Sequence, residues 1–109
     1  MQIRVVEDNG VKVIALAGEI DMHTSPVLRK ELMSLVQKKV TPLFVDFNEV
    51  SYIDSSGIAT FVEGLKGMKS YGGTLKLVDI PERIMDIFSF AKLDKVFEIR
   101  GTLHDAHNG

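Results

Sequence analysis

The sequence predicts one α/β domain: a mostly parallel mixed sheet, an antiparallel hairpin strand at its N-terminal end, and three to four helices. Three observations carry this. Asn9-Gly10 stands between two runs rich in β-branched residues, a strong hairpin signal because the tight turn needs positive φ. Farther on, short apolar runs alternate with stretches of helical period, the pattern of crossover connections and a parallel sheet. The 109 residues suit one domain with its own core, and no repeat, linker or low-complexity tract divides them. The domain is expected to span 1–109, with its core over about 2–100 and a polar tail at 101–109.

The elements follow in order. Strands are expected at about 2–7 and 11–17, with Gly18 ending the second. Thr24-Ser25-Pro26 reads as a helix start, with a hydroxyl cap and a proline where its missing N–H costs nothing. Leu28, Leu32, Leu35 and Val36 then repeat at helical spacing, which predicts a helix over about 26–39. Leu43–Phe47 is a short, mostly apolar run that suits a central strand. A second helix is expected at about 55–71, with Ile58, Phe61, Val62, Leu65 and Met68 as its buried stripe and Gly72-Gly73 stopping it. Residues 74–78 form another strand. Pro81 opens a third helix carrying Ile84, Ile87, Phe88 and Ala91 on one face, and Val96–Ile99 closes the sheet. The last residues, TLHDAHNG, read as a solvated end that frays or forms a short helix.

Composition narrows the function. The chain has 13 basic and 15 acidic side chains and a net charge of −2, without the basic footprint of a general nucleic-acid binder. The absence of cysteine excludes disulfides, thiol chemistry and thiolate zinc sites. No apolar run is long enough to span a membrane, and MQIRVVEDNG has no secretory h-region. The expected location is the cytoplasm.

The candidate chemistry gathers where strands end and the next loops begin: Gly18–Thr24, Asn48–Ser56 and Asp79–Pro81. Asp54-Ser55-Ser56-Gly57 opens the second helix. Asp and Ser there are good caps, but capping does not explain a glycine in the first turn. Gly57, Thr60, Gly64 and Gly67 fall on one side of that helix, beside the core stripe, with Ser56 at their edge. Each helix glycine costs about 1 kcal/mol relative to alanine, so something must come close. Either a neighbouring helix of the same chain or a partner would meet that requirement.

Ile53-Asp54-Ser55-Ser56-Gly57-Ile58 resembles the phosphorylation motif of STAS-domain anti-sigma factor antagonists. Gly18-Glu19-Ile20-Asp21 resembles that family's Gly-Glu-Leu-Asp loop, with isoleucine for leucine; Thr24, Leu28 and Gly72-Gly73 also fit. The resemblance covers about residues 3–100. It implies a STAS fold and a bacterial partner switch. The unphosphorylated antagonist binds an anti-sigma factor that is also a serine kinase, and so frees a sigma factor. The kinase phosphorylates the second serine, here Ser56, and the complex parts; a serine phosphatase resets it. The protein would then be a substrate and a ligand, not an enzyme, with no cofactor and no metal. Asp21 would lie near the phosphoserine, and Met22, His23, Asp54, Ser55, Gly57, Thr60, Glu63 and Gly64 would complete the partner-binding surface. Ser55 is expected to be structural, and Asp54 chiefly a helix cap.

A hydroxyl in the first helical turn can face a kinase. A phosphate there would meet backbone N–H groups and the positive end of the helix dipole. Its charge of about −1.5 to −2 would join Glu19, Asp21 and Asp54 and repel a docked partner. Other readings were weighed. A non-sigma STAS subunit, either a stressosome-like scaffold or the soluble subunit of a lipid-transport complex, is the alternative; such members do not all keep a phosphorylatable serine, and a scaffold is expected to carry a further N-terminal domain. A Ser56-His23-Asp21 hydrolase lacks the Gly-x-Ser-x-Gly elbow and a glycine-rich oxyanion loop. His104 and His107 would be a metal pair only in an ordered tail. Met22 and Phe90 stand off the apolar stripes as possible contacts.

Overall fold

Asn9 and Gly10 both take positive φ, 50° and 82°, so the chain reverses in two residues. The strand before the turn, β1 (Gln2–Asp8), therefore pairs antiparallel with β2 (Val11–Ile20), in unbroken register from Gln2 opposite Ala17 to Asp8 opposite Val11. The computed structural model describes residues 1–109. Beyond the hairpin the order is α1 (Ser25–Gln37), β3 (Leu43–Ile53), α2 (Ser55–Lys69), β4 (Leu75–Val78), α3 (Glu82–Phe90), β5 (Glu98–Arg100) and α4 (Leu103–Asn108). The five strands lie in sequence order, and every pair after β1–β2 is parallel.

That order decides the layers. Crossovers that always step to the next strand with one hand place every crossover helix on one face of the sheet. The main core accordingly joins α1, α2 and α3 residues (Leu28, Leu32, Phe61, Met68, Ile84, Phe88) to Ile14, Val45, Phe47 and Leu77 of the strands. The opposite face carries a second, smaller core of Val13, Phe44 and Val78, closed by Ala106 of α4. Sheet order never reverses, so no switch-point crevice opens at the strand ends. Two surface cavities, of about 300 and 260 Å³, lie elsewhere, the first lined by Phe44, Lys76 and His107 and the second by Arg4, Ala17 and Glu49.

Several expectations need correction. β2 does not end at Gly18; that residue takes φ +100° inside the strand, which continues to Ile20. β3 does not stop at Phe47 but runs to Ile53. Against β2 it gains a residue at each of two register shifts, between Ala15 and Ala17 and between Gly18 and Glu19. The last strand lies at Glu98–Arg100, two residues later than expected at its start. The Thr24 side chain makes no cap bond to α1. Its hydroxyl donates to the Glu19 carbonyl at 2.9 Å and accepts from the Asp21 N–H at 2.9 Å, tying the loop instead. The polar tail does not fray: it forms the short helix α4, which packs on the sheet through buried Ala106 while most of its other residues stay exposed. No helix is long and apolar enough to cross a membrane.

Candidate functional site

Parallel pairing brings the two sequence motifs together. Ile20 lies opposite Ile53 at the ends of β2 and β3, and the Asp54 N–H donates to the Ile20 carbonyl at 3.1 Å. The β2–α1 loop and the first turn of α2 thus form one rim.

Asp54 is the N-cap of α2, with extended backbone. Its Oδ1 accepts the Ser56 N–H at 2.9 Å, the Gly57 N–H at 3.2 Å and the Ser56 hydroxyl at 2.6 Å. These bonds hold its carboxyl below the usual range. The Ser56 hydroxyl is the largest cause; burial opposes it, and the backbone N–H groups of Gly57, Ser56 and Met22 add to it. Ser56 Oγ also accepts from the Ser25 hydroxyl at 3.2 Å. Ser56 is half-buried, and its oxygen is held between Asp54 and Ser25. Ser55 beside it is exposed. Of the backbone N–H groups that a phosphate on Ser56 was expected to meet, Asp54 already occupies two. A phosphate there would face the Asp54 carboxylate.

Asp21 is half-buried and closes its own loop, its Oδ1 accepting from the His23 N–H at 2.9 Å and the Thr24 N–H at 3.1 Å. It ties the turn that leads into α1, and no side chain caps the helix itself. Met22 and His23 project outward, Met22 with 68% of its surface exposed. The His23 ring makes no hydrogen bond to Ser56 or Asp21, so a Ser-His-Asp relay is not assembled. Asp79, in the third rim segment, belongs to the α4 face: burial, then Asp46 and Asp105, raises its carboxyl pKa. His107 turns away from His104 to Asp8, Nε2 to Oδ2 2.9 Å, so the two imidazoles do not converge.

The small face of α2 turns inward. A methyl group added at Gly57 would lie 2.7 Å from Ile20 Cγ2; at Gly64, 2.5 Å from Leu32 Cδ2; at Gly67, 2.7 Å from Val36 Cγ1. Gly57, Thr60 and Gly64 are buried, so the close approach is that of the chain's own α1 and strand ends. Their expected place on a partner surface is corrected by that burial. Glu63, on the next side of α2, is half-buried and grips Arg29 of α1 with two bonds of 2.7 Å. The Arg29 hydrogen bond, more than its charge, lowers the Glu63 pKa against the opposing effect of burial. Sequence reasoning missed Ser25, Val27 and Arg29. Ser25 was legible only as a capping neighbour of Pro26. Val27 is an apolar residue 58% exposed on the first turn of α1. Phe90, at the far end of α3, is 92% exposed.

Comparison with known proteins agrees with this fold. The STAS domain family model matches residues 2–106. The anti-sigma-B factor antagonist of Bacillus subtilis is 37% identical over 92 residues, 84% of this chain and 83% of that protein. A crystal structure of an anti-sigma factor antagonist from Mycobacterium paratuberculosis superposes with a TM-score of 0.88 at 26% identity, covering 98% of this chain and 91% of that one. The Bacillus cell fate determinant SpoIIAA in its phosphorylated form shares the fold, with a TM-score of 0.74 at 22% identity over 98% of this chain and 97% of its own. The rim, the sheet order and these matches define a small STAS domain with a serine at a helix entrance. The chain belongs to the STAS domain family.

Proposed function

We propose that this protein is an anti-sigma factor antagonist that acts by partner switching in the cytoplasm of a bacterium. Its unphosphorylated form binds an anti-sigma factor, which also serves as its serine kinase, and phosphorylation of Ser56 ends the complex. A serine phosphatase restores it. The reading rests on kinship with named antagonists and on one local observation: the hydroxyl of half-buried Ser56, 2.6 Å from a carboxylate kept ionised by its own hydrogen bonds. Phosphorylation removes the proton that joins Ser56 to Asp54. It sets a charge of about −1.5 to −2 against that carboxylate. The oxygen and its new charge must turn outward, toward the surface formed by Met22, His23 and Ser55. Attractive contacts there become repulsive without any change of fold. Exposed Met22 and Val27 supply the apolar part of such a surface, and Asp21, Asp54 and Glu63 its polar part.

Immobilised wild-type, Ser56→Ala and Ser56→Asp proteins, exposed to lysate of the source bacterium, test this. Wild type and Ser56→Ala should retain a small ATP-binding kinase, and Ser56→Asp should capture about tenfold less of it or lower still, the size expected of an unpaired charge at an interface. The purified kinase with ATP should add one phosphate to wild type and none to Ser56→Ala. Equal capture by all three baits would defeat the switch.

A further inference from the structure

The first strand leaves one edge of the sheet open. β1 pairs only with β2, and α4 meets it at the turn end, through His107 at Asp8. Its hairpin loop has two residues, so Asp8 and Val11 form the hydrogen-bonded pair that closes the turn. Alternation then turns the backbone groups of Arg4, Val6 and Asp8 toward β2 and those of Ile3, Val5 and Glu7 away from the sheet. Of the usual guards of an open edge β1 keeps only charge, in Arg4, Glu7 and Asp8. It has no proline, no lysine and no bulge, and Val5 and Val6 stand exposed on its two faces.

We infer that β1 is a self-association edge, pairing antiparallel with β1 of a second copy about a two-fold axis through Val6. Facing residues of an antiparallel pair share a side of the sheet, so a symmetric pair must place some residue opposite its own copy. With Val6 at the axis, Val5 of each copy exchanges backbone hydrogen bonds with Glu7 of the other. Arg4 of each copy then lies opposite Asp8 of the other, on the same side as Val6. Arg4 forms no ion pair within the chain; the recorded pairs are Lys12–Glu7, Arg29–Glu63, Lys76–Glu98, Arg100–Glu98 and His107–Asp8. Asp8 gives one oxygen, Oδ2, to His107 and keeps the other for Arg4. Moving the axis to Val5 sets Arg4 against Val6 and loses the charge match, which selects the Val6 register. Two strands of this length bury less than a standard interface, so the dimer is weak, with a dissociation constant on the order of 100 µM. None of this depends on the reading of Ser56.

The chain contains no cysteine, so a single introduced one is a clean reporter. In this register Val6 and its copy form a non-hydrogen-bonded pair with Cα atoms about 4.5 Å apart, within disulfide range, whereas the two Val5 residues are staggered by about 8 Å. Val6→Cys should cross-link under mild oxidation at least tenfold faster than Val5→Cys. Sedimentation equilibrium should show wild-type dimer growing with concentration. Arg4→Asp and Asp8→Arg should each weaken it about fivefold or more, and the double exchange should restore it; circular dichroism confirms that each variant is folded. A wild type still monomeric at about 1 mM overturns the proposal and leaves the edge to a strand of another protein. Cross-linking of Val5→Cys as fast as Val6→Cys overturns it as well.

Discussion

Asp54 does three jobs with one oxygen. It caps α2 through the N–H groups of Ser56 and Gly57, fixes the Ser56 hydroxyl, and carries the charge that a phosphate on Ser56 would oppose. The capping part is ordinary, and the coupling to Ser56 is what marks the site. Because its pKa is depressed in the folded protein, Asp54 stabilises the fold above its unfolded pKa of about 3.9, and that contribution is lost as pH falls through the folded value. Asp54→Ala should therefore lower the Tm at pH 7 by roughly 5–10 °C, as removal of a good cap does. The gap to wild type should narrow as pH falls through the folded value, where the native carboxyl is protonated too. Asp54→Asn, which keeps an acceptor, should lose less. Melts by circular dichroism across that pH range decide the point; a gap indifferent to pH would show that the charge contributes nothing.

At the scale of elements, the α1–α2 contact accounts for the glycines. Alanine at Gly64 would gain about 1 kcal/mol of helix propensity. Its methyl, however, would press on both Cδ2 and Cγ of Leu32, at 2.5 and 3.0 Å, in a side chain with no exposed surface. Overpacking of that kind costs about 1–3 kcal/mol, so Gly64→Ala should be net destabilising by up to about 2 kcal/mol in urea unfolding. Gly67→Ala meets Val36 at the margin of the core, where movement is easier, and should change stability by no more than about 0.5 kcal/mol. The same contact shows what sequence could reveal. The small face of α2 was legible from spacing alone; which body it meets was not, because tight helix packing and partner docking select the same residues. The second half of β3 was hidden for another reason. Phe47, Val50 and Ile53 all reach the main core, yet they are spaced by three, since each bulge adds a residue to the normal period of two. Helix ends at Lys39 and Lys92 were also obscure, since both take the positive φ, 56° and 60°, that a sequence reader expects of glycine. The two motifs at the rim were legible because their chemistry is local, and Ser25 was not, because its bond to Ser56 crosses 31 residues.

For the whole molecule, the sequential sheet order has a consequence. With all three crossover helices on one side, the other side of the sheet would be bare, and a chain with a parallel sheet must cover both faces. The last residues do this cheaply. TLHDAHNG looks solvated because its apolar content is small, yet Ala106 is enough to close Val13, Phe44 and Val78. Polar ties hold it in place: Thr102 caps α4 through the Asp105 N–H at 3.1 Å, Lys76 donates to the Ala106 carbonyl at 2.8 Å, and the His107 ring meets Asp8 and stands edge-on to Phe44 at 5.0 Å. Removing residues 102–109 should uncover much of the Phe44 ring and parts of both valines, a loss of about 2–4 kcal/mol at roughly 25 cal/mol per Å². Ala106→Asp should reproduce most of that loss with the chain length unchanged, since a carboxylate cannot enter the space the methyl fills. The Ser56 rim lies at the helix-covered side of the strand ends, so capture of the proposed kinase partner by the truncated protein should match wild type at temperatures where both are folded. Urea midpoints and capture, measured on the same preparations, separate the two effects: a truncated chain as stable as the full one would mean that α4 adds nothing, and one that is folded but fails to bind would mean that the two faces are coupled.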